Sequence, residues 1–237
     1  MLNEISTELV CELADLVFAP PTAYVYNPLV YANGPWTVYC NTYGQGTREI
    51  LLVGMNPGPF GMAQVGVPFG EVSFVRDWLR IEAKVDKPLR EHPQRPITGF
   101  DCKRSEVSGF RFWSWAREHF QSPDVFFKRF FVANYCPLVF MEDSGRNRTP
   151  DKLPFEERSA LFEVCDRALK RTVRYFEPKY VVGIGKFARD RIVTALSDDF
   201  PNVVVGSVPH PSPASPLANT GWSGLMTQAL NELGVIL

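Results

Sequence analysis

The sequence has no Cys-x-x-Cys pair. Its five cysteines, Cys11, Cys40, Cys102, Cys136 and Cys165, are scattered. That spacing argues against a zinc ribbon or an iron–sulfur cluster and leaves reduced, structural thiols. The three histidines, His92, His119 and His210, lie too far apart to suggest a shared metal site, so neither metal nor cofactor is expected. No run of about 18 apolar residues occurs, so no membrane-spanning helix and no membrane partner is expected. An excess of positive charge is also missing. The formal net charge is −1, so contact with a polyanion must come from a local patch or from backbone amides. The chain carries no Walker loop, no Gly-x-Ser-x-Gly elbow and no paired carboxylates placed by motif.

What is present is apolar material for one core. The 237 residues are 45% hydrophobic and 22% charged, which suits a single domain over 1–237. Met1 to Phe18 carries Glu4, Glu8, Glu12 and Asp15 among apolar residues. It reads as a helix of a cytosolic or nuclear protein rather than as a basic, then apolar, leader. Four continuous apolar runs predict strands covered on both faces: 49–54, 129–134, 180–184 and 202–206. Helical spacing is expected over 155–175, 187–196 and 220–233, with 72–81 and 110–119 between the first two strands. Alternating strand and helix implies a three-layer α/β fold, a mainly parallel four-stranded sheet flanked by helices. Residues 84–108, with Pro88, Pro93, Pro96 and many charges, read as a long surface excursion. No heptad or exposed apolar stripe calls for a partner, so a monomer is expected.

In an open parallel sheet, ligands bind beyond the carboxyl ends of the strands. The first strand is followed by Gly54-Met55-Asn56-Pro57-Gly58-Pro59-Phe60-Gly61. The second ends at Asn134, and the third runs into Gly183-Ile184-Gly185-Lys186. The fourth leads to Pro209-His210-Pro211-Ser212-Pro213. Two carboxamides, a glycine turn and a histidine thus converge on one edge, held by proline and glycine turns. An Asn side chain offers a donor and an acceptor side by side, which matches O4 and N3–H of uracil. Aromatic faces stack on bases. A histidine can donate to an oxygen that gains charge as a base leaves.

Residues 54–64 (Gly-Met-Asn-Pro-Gly-Pro-Phe-Gly-Met-Ala-Gln), the later Gly66-Val67-Pro68-Phe69-Gly70-Glu71-Val72, and His210-Pro211-Ser212-Pro213 with Ala218-Asn219 and Gly221-Trp222 make a recognisable set. Glu106-Val107-Ser108-Gly109 with Arg111-Phe112-Trp113, and Asn134-Tyr135-Cys136-Pro137-Leu138, extend it. Together they resemble the single-strand-selective monofunctional uracil-DNA glycosylases, from about Gly54 to Trp222. The resemblance implies a uracil-DNA glycosylase-like fold. It also implies hydrolysis of the N-glycosidic bond of uracil, and of C5-modified uracils such as 5-hydroxymethyluracil, in single- and double-stranded DNA.

The same resemblance assigns roles. Asn56 would orient the attacking water, since an amide cannot deprotonate it. His210 would hydrogen-bond uracil O2 and stabilise the leaving anion. Asn134 would read the base edge, Phe69 would stack on the flipped base, and Met55 would line the pocket. Gly58 stands where the best-known uracil glycosylases carry a tyrosine, so its missing side chain would leave room at C5. The segment with Pro209, Pro211, Ser212, Pro213, Asn219, Gly221 and Trp222 would meet DNA once the base has left the stack. Relatives commonly carry Arg after the His-Pro-Ser-Pro block; here it is Ala214, which puts one DNA contact in doubt. Lys103, Arg104, Arg111, Arg117, Arg146, Arg148, Lys186 and Arg189 are candidates for phosphate contacts. No lysine is placed to form a Schiff base, so a monofunctional enzyme leaving an intact abasic site is expected. The compartment would be the cytoplasm, at the nucleoid, for a bacterial protein and the nucleus for a eukaryotic one.

Two other readings compete. Gly183-Ile184-Gly185-Lys186-Phe187-Ala188 partly fits a dinucleotide-binding turn, although Val203-Val204-Val205-Gly206 ends without the expected acidic residue. A catalytically silent protein that only binds DNA or a free base is the other.

Overall fold

The computed structural model describes residues 2–237; Met1, where the first helix was expected to begin, lies outside them. The central sheet contains β2 (Ile50–Gly54), β3 (Phe130–Asn134), β6 (Tyr180–Ile184) and β7 (Val204–Val208). Its order is β3-β2-β6-β7, and every pairing is parallel. Ile50 is level with Phe130 and Tyr180, and Gly54 with Asn134. Four strand ends therefore open on one edge, as the apolar runs implied. The last strand lies two residues later than expected, because Asn202 and Val203 still belong to the turn.

Consecutive side chains of a strand point to opposite faces, and β3 shows that both faces are covered. Phe130 packs on Phe126 with ring centroids 5.0 Å apart and on Trp115 at 6.2 Å. These belong to α6 (Pro123–Phe127) and α5 (Val107–Phe120). Phe131, one residue on, meets Phe176 at 4.5 Å. Phe176 closes α7 (Phe155–Phe176), which packs beside α1 (Leu2–Ala14) and α8 (Lys186–Leu196). The result is three layers, helix–sheet–helix, around a core that runs from Leu2 to Val235. Completing the chain, α9 (Trp222–Glu232) packs against β7.

Three features depart from the sequence reading. A second sheet of β1 (Tyr24–Tyr26), β4 (Val139–Met141) and β5 (Asn147–Arg148) pairs antiparallel in the order β1-β4-β5. Helices α2 (Pro28–Tyr31) and α3 (Asn33–Tyr43) fill the stretch before β2. The helix expected over 72–81 is one π-helical turn at Phe74–Trp78. There the Glu71 carboxylate accepts from the Phe74 amide at 3.1 Å and from the Ser73 hydroxyl at 2.6 Å.

The excursion over 84–108 is largely irregular but tightly tied. In α4 (Met62–Val65), buried Gln64 donates to Pro59 O and Pro96 O and accepts from the Thr98 amide at 2.8 Å. Buried His92 accepts at Nδ1 from the Gln94 amide at 3.0 Å, and its own amide donates to the Tyr26 hydroxyl at 2.6 Å. No helix among the described residues is long and apolar enough to cross a membrane.

Candidate active site

A cleft of about 330 Å³ opens at the carboxyl edge of the sheet. It is lined by Met55, Asn56, Pro57, Gly58, Gly61, Met62, Phe69, Glu106, Ser108, Asn134, Asn147, Thr149, His210 and Ser212. The structure thus gathers Met55, Asn56, Gly58, Phe69, Asn134, His210 and Ser212 around one space. Among the described residues, no cluster of three or more metal-ligating side chains occurs.

Parallel pairing extends past the sheet and brings the two carboxamide segments together. The Tyr135 amide donates to Gly54 O and the Cys136 amide to Met55 O, both at 2.9 Å. Asn56 Nδ2 donates to Leu138 O at 3.1 Å. This bond fixes which end of the amide is which: Oδ1 is the atom left to accept a hydrogen bond from water. Asn134 Nδ2 lies 3.1 Å from Met62 Sδ. Its Oδ1 occupies the space that a Cβ on Gly54 would take. Gly54 is therefore small because Asn134 and Phe69 share its surface; the same Cβ would stand 2.8 Å from the Phe69 ring.

Phe69 is held in an unusual backbone conformation, φ 53°, a region costly for a bulky residue unless its surroundings impose it. They do. Trp113 Nε1 donates to Phe69 O at 3.0 Å, and Gly109 of α5 has no Cβ because one would overlap that same carbonyl. One face of the ring stacks on Phe112 with centroids 5.0 Å apart at 21°. The other face is the one a base can cover. The His210 ring centroid is 6.2 Å away.

His210 Nδ1 accepts from the Ser212 amide at 3.1 Å. Burial lowers its pKa below the ordinary 6.5, so at neutral pH the ring is uncharged. With Nδ1 accepting, the single proton sits on Nε2, and Nε2–H is a donor. Gly185, at φ 90°, lies against the ring: a Cβ there would come within 3.2 Å of His210 Cβ. Gly183 has no Cβ because one would overlap the backbone of Arg189 in α8. The two glycines of the dinucleotide-like turn thus serve strand–helix packing and the seating of His210.

The space beside Gly58, expected to be open, holds a carboxyl group. A Cβ on Gly58 would sit 2.5 Å from Glu106 Oε2. Burial raises the Glu106 pKa above the carboxylate norm, while the Phe60 and Ser108 amides and the Arg104 guanidinium pull the other way. Glu106, Asn147 and Thr149 were not singled out as site residues from the sequence. Glu106 belongs to the Glu106-Val107-Ser108-Gly109 block, but Asn147 and Thr149 come from a hairpin of two- and three-residue strands that leaves no periodic trace.

The Pro209–Trp222 segment divides into lining and scaffold. Pro211 and Trp222 are buried. Trp222 Nε1 donates to Pro209 O at 2.7 Å, and Asn219 Nδ2 to Pro213 O at 3.1 Å. Arg111, expected at phosphate, instead braces this segment: it donates to Pro211 O and to Asn219 Oδ1, each at 2.9 Å. Pro213 and Gly221 are exposed, Ser212 half-buried. Of the other cations, Arg117 lies over the Phe74 ring and Arg148 pairs with Glu142. Lys186 and Arg189 both pair with Asp190.

Residues 42–233 match the Uracil DNA glycosylase superfamily. A single-strand selective monofunctional uracil DNA glycosylase of Bos taurus is 49% identical over 225 residues, covering 95% of this chain and 83% of that protein. The Rattus norvegicus protein of the same description is also 49% identical, covering 95% and 81%. The crystal structure of SMUG2 from Pedobacter heparinus superposes with a TM-score of 0.67 at 15% identity, covering 97% of both chains, and speaks to the fold alone. The chain belongs to the uracil DNA glycosylase superfamily and, within it, to the single-strand selective monofunctional uracil-DNA glycosylases.

Proposed function

We propose that the protein is a monofunctional DNA glycosylase that hydrolyses the N-glycosidic bond of uracil and of 5-hydroxymethyluracil, in single-stranded and, more weakly, double-stranded DNA. The observation that carries this reading is the gathering of Asn56, Asn134, Phe69 and His210 around one cleft. An everted uracil would lie against the free face of Phe69, with O4 and N3–H towards Asn134. His210 Nε2–H would donate to O2 as negative charge builds there, the kind of pre-aimed donor that lowers barriers most. As the sugar develops positive charge, a water held by Asn56 Oδ1 would add at the anomeric carbon, its spare proton passing to the departed uracil anion. An amide suffices because a strongly electrophilic sugar does not need a strong nucleophile.

The test is excision from a uracil-containing oligonucleotide, single- and double-stranded, followed by alkali to break the abasic site. Strand breaks should appear only after alkali. Breaks without alkali, or a borohydride-trapped adduct, would overturn the monofunctional assignment; no release of uracil would overturn the activity itself. Gly58→Tyr should lose 5-hydroxymethyluracil before uracil, because the new side chain must push Glu106 aside and crowd the C5 side of the base; equal loss on both would sink the steric account.

A further inference from the structure

The β4–β5 hairpin supplies part of the cleft wall through Asn147 and Thr149. Alternation along the strand sets their direction: Arg148, between them, turns away to Glu142 at 3.0 Å. Asn147 is exposed, whereas Asn134, Phe69 and His210 in the same cleft are half-buried. Among the described residues the Asn147 carboxamide is committed to no protein partner. The hairpin turns through Asp143, Ser144 and Gly145. The Glu142 amide donates to Arg146 O at 3.0 Å, the Gly145 amide to Glu142 O at 2.9 Å, and Gly145 takes φ 75°. Buried His92 holds this tip. Its Nε2 donates to Asp143 O at 3.0 Å, the tautomer left when Nδ1 accepts from the Gln94 amide. A Cβ on Gly145 would come within 3.1 Å of His92 Cε1. The hairpin carries as many acidic as basic residues, Glu142 and Asp143 against Arg146 and Arg148. It therefore offers aimed donors rather than a field of charge.

We propose that the β4–β5 hairpin is a second DNA-contacting element, separate from the Pro209–Trp222 segment. In it Asn147 donates from Nδ2 to a phosphate oxygen flanking the extruded uracil nucleotide, and Arg146 reaches the next phosphate along the strand. This rests on the function proposed above. The edge, face and O2 of the base have their partners in Asn134, Phe69 and His210, each less exposed than Asn147. What an everted nucleotide leaves at the mouth of a cleft is its sugar and its phosphates. The carboxamide nitrogen has two donors, and phosphate oxygens accept from Asn side chains as well as from cations. Arg146, the exposed neighbour in sequence, has no acidic partner among the described ion pairs. A neutral donor strengthens binding without releasing a counterion, whereas an arginine releases one. The two residues therefore leave different signatures.

The experiment measures binding to a uracil-containing single strand on an Asn56→Ala parent, so that substrate survives, at several salt concentrations. Two further strands carry a methylphosphonate, which lacks the phosphate charge, on the 5′ or the 3′ side of the uracil nucleotide. Asn147→Ala should weaken binding roughly tenfold, the lower range for a hydrogen bond to a charged group, and leave the salt slope unchanged. Arg146→Ala should make the slope shallower by about 0.7. Asn147→Asp, though nearer in shape to asparagine, should bind more weakly than Asn147→Ala, because its carboxylate repels the phosphate. On one of the two methylphosphonate strands the parent should lose about as much as Asn147→Ala costs on the ordinary strand, and adding Asn147→Ala should cost nothing more. Fully additive losses at both phosphates would overturn the proposal, as would Asn147→Asp binding as well as its parent or an unchanged slope in Arg146→Ala. Excision by the wild type is the control: if it removes no uracil, the proposed function falls rather than this contact alone.

Discussion

At the residue scale, the chemistry of the His210 ring is set by its neighbours. The Ser212 amide occupies His210 Nδ1 and burial lowers the ring's pKa, so the ring is neutral and Nε2–H is the nitrogen free to donate to a base in the proposed reaction. Removing that donor in His210→Ala should slow excision by about two to three orders of magnitude, the range for one oxyanion-hole donor. A loss below tenfold would mean the leaving base is stabilised elsewhere. The lowered pKa also sets a sign for stability. The unfolded histidine takes its proton near 6.5, the folded one only at lower pH. The cost of keeping His210 neutral is thus absent above 6.5 and grows as pH falls towards the folded pKa. Denaturant titrations of His210→Gln should accordingly show a smaller loss of stability than wild type as pH falls from 6.5 to 5; parallel curves would deny the burial argument. Gly54→Ala tests the wall of the pocket. The new methyl would overlap Asn134 Oδ1 and stand 2.8 Å from Phe69. Asn134 and Phe69, the side chains proposed to hold the base, must then shift, so excision should collapse, with a stability loss of about 1–3 kcal/mol typical of overpacking. Full activity in Gly54→Ala would show that neither side chain needs its observed place.

At the element scale, the segment carrying His210 depends on α5. Arg111 reaches from that helix to Pro211 O and Asn219 Oδ1, and Trp222 ties the start of the segment to its end. Arg111→Met should slow excision about tenfold with little change in melting temperature, because the lost bonds lie on the loop side rather than in the core. Asn219→Ala should lose less, and the double variant should lose no more than Arg111→Met alone, since both act through one bracket. Additive losses would mean that Arg111 contacts DNA directly. Much of this layer was legible beforehand. The runs at 49–54 and 180–184 are so continuously apolar that they declare buried strands, and the turns that follow declare the site. The β1, β4 and β5 strands were not legible, because three- and two-residue strands show no alternation to count. Helix α3 escaped because Asn33, Gly34 and Pro35 read locally as a turn, and only burial of Trp36, Tyr39 and Tyr43 makes them a first helical turn. Glu106 carries no such signal, because its place is the bare side of Gly58, forty-eight residues earlier in sequence and adjacent only in space.

At the scale of the whole molecule, the question is how a chain of net charge −1 holds a polyanion. Of the eight cations expected at phosphate, the fold commits five elsewhere: Arg111 to the loop, Arg117 to Phe74, Arg148 to Glu142, and Lys186 and Arg189 to Asp190. Lys103, Arg104 and Arg146 remain exposed and have no acidic partner among the described ion pairs. Ala214, where relatives commonly carry arginine, adds none. Each neutralised phosphate of a single strand contributes about −0.7 to the slope of log affinity against log salt. Three contacts therefore predict a slope of about −2 for a uracil-containing single strand between 50 and 200 mM salt, shallow for a DNA-binding protein. Measured on Asn56→Ala, so that substrate survives binding, the slope should become shallower by roughly one contact's worth in Arg104→Ala, because Arg104 stands beside the cleft on the Phe60 ring. A slope of about −5 or steeper would show that the paired arginines release their carboxylates to the strand. An unaltered slope in Arg104→Ala would move the path of the DNA to the far side of the cleft, towards Arg146. Ala214→Arg should add a contact and steepen the dependence, most visibly on duplex, where the exposed Pro213–Ala214 tip is the part of the loop free to meet the strand from which the base has been withdrawn.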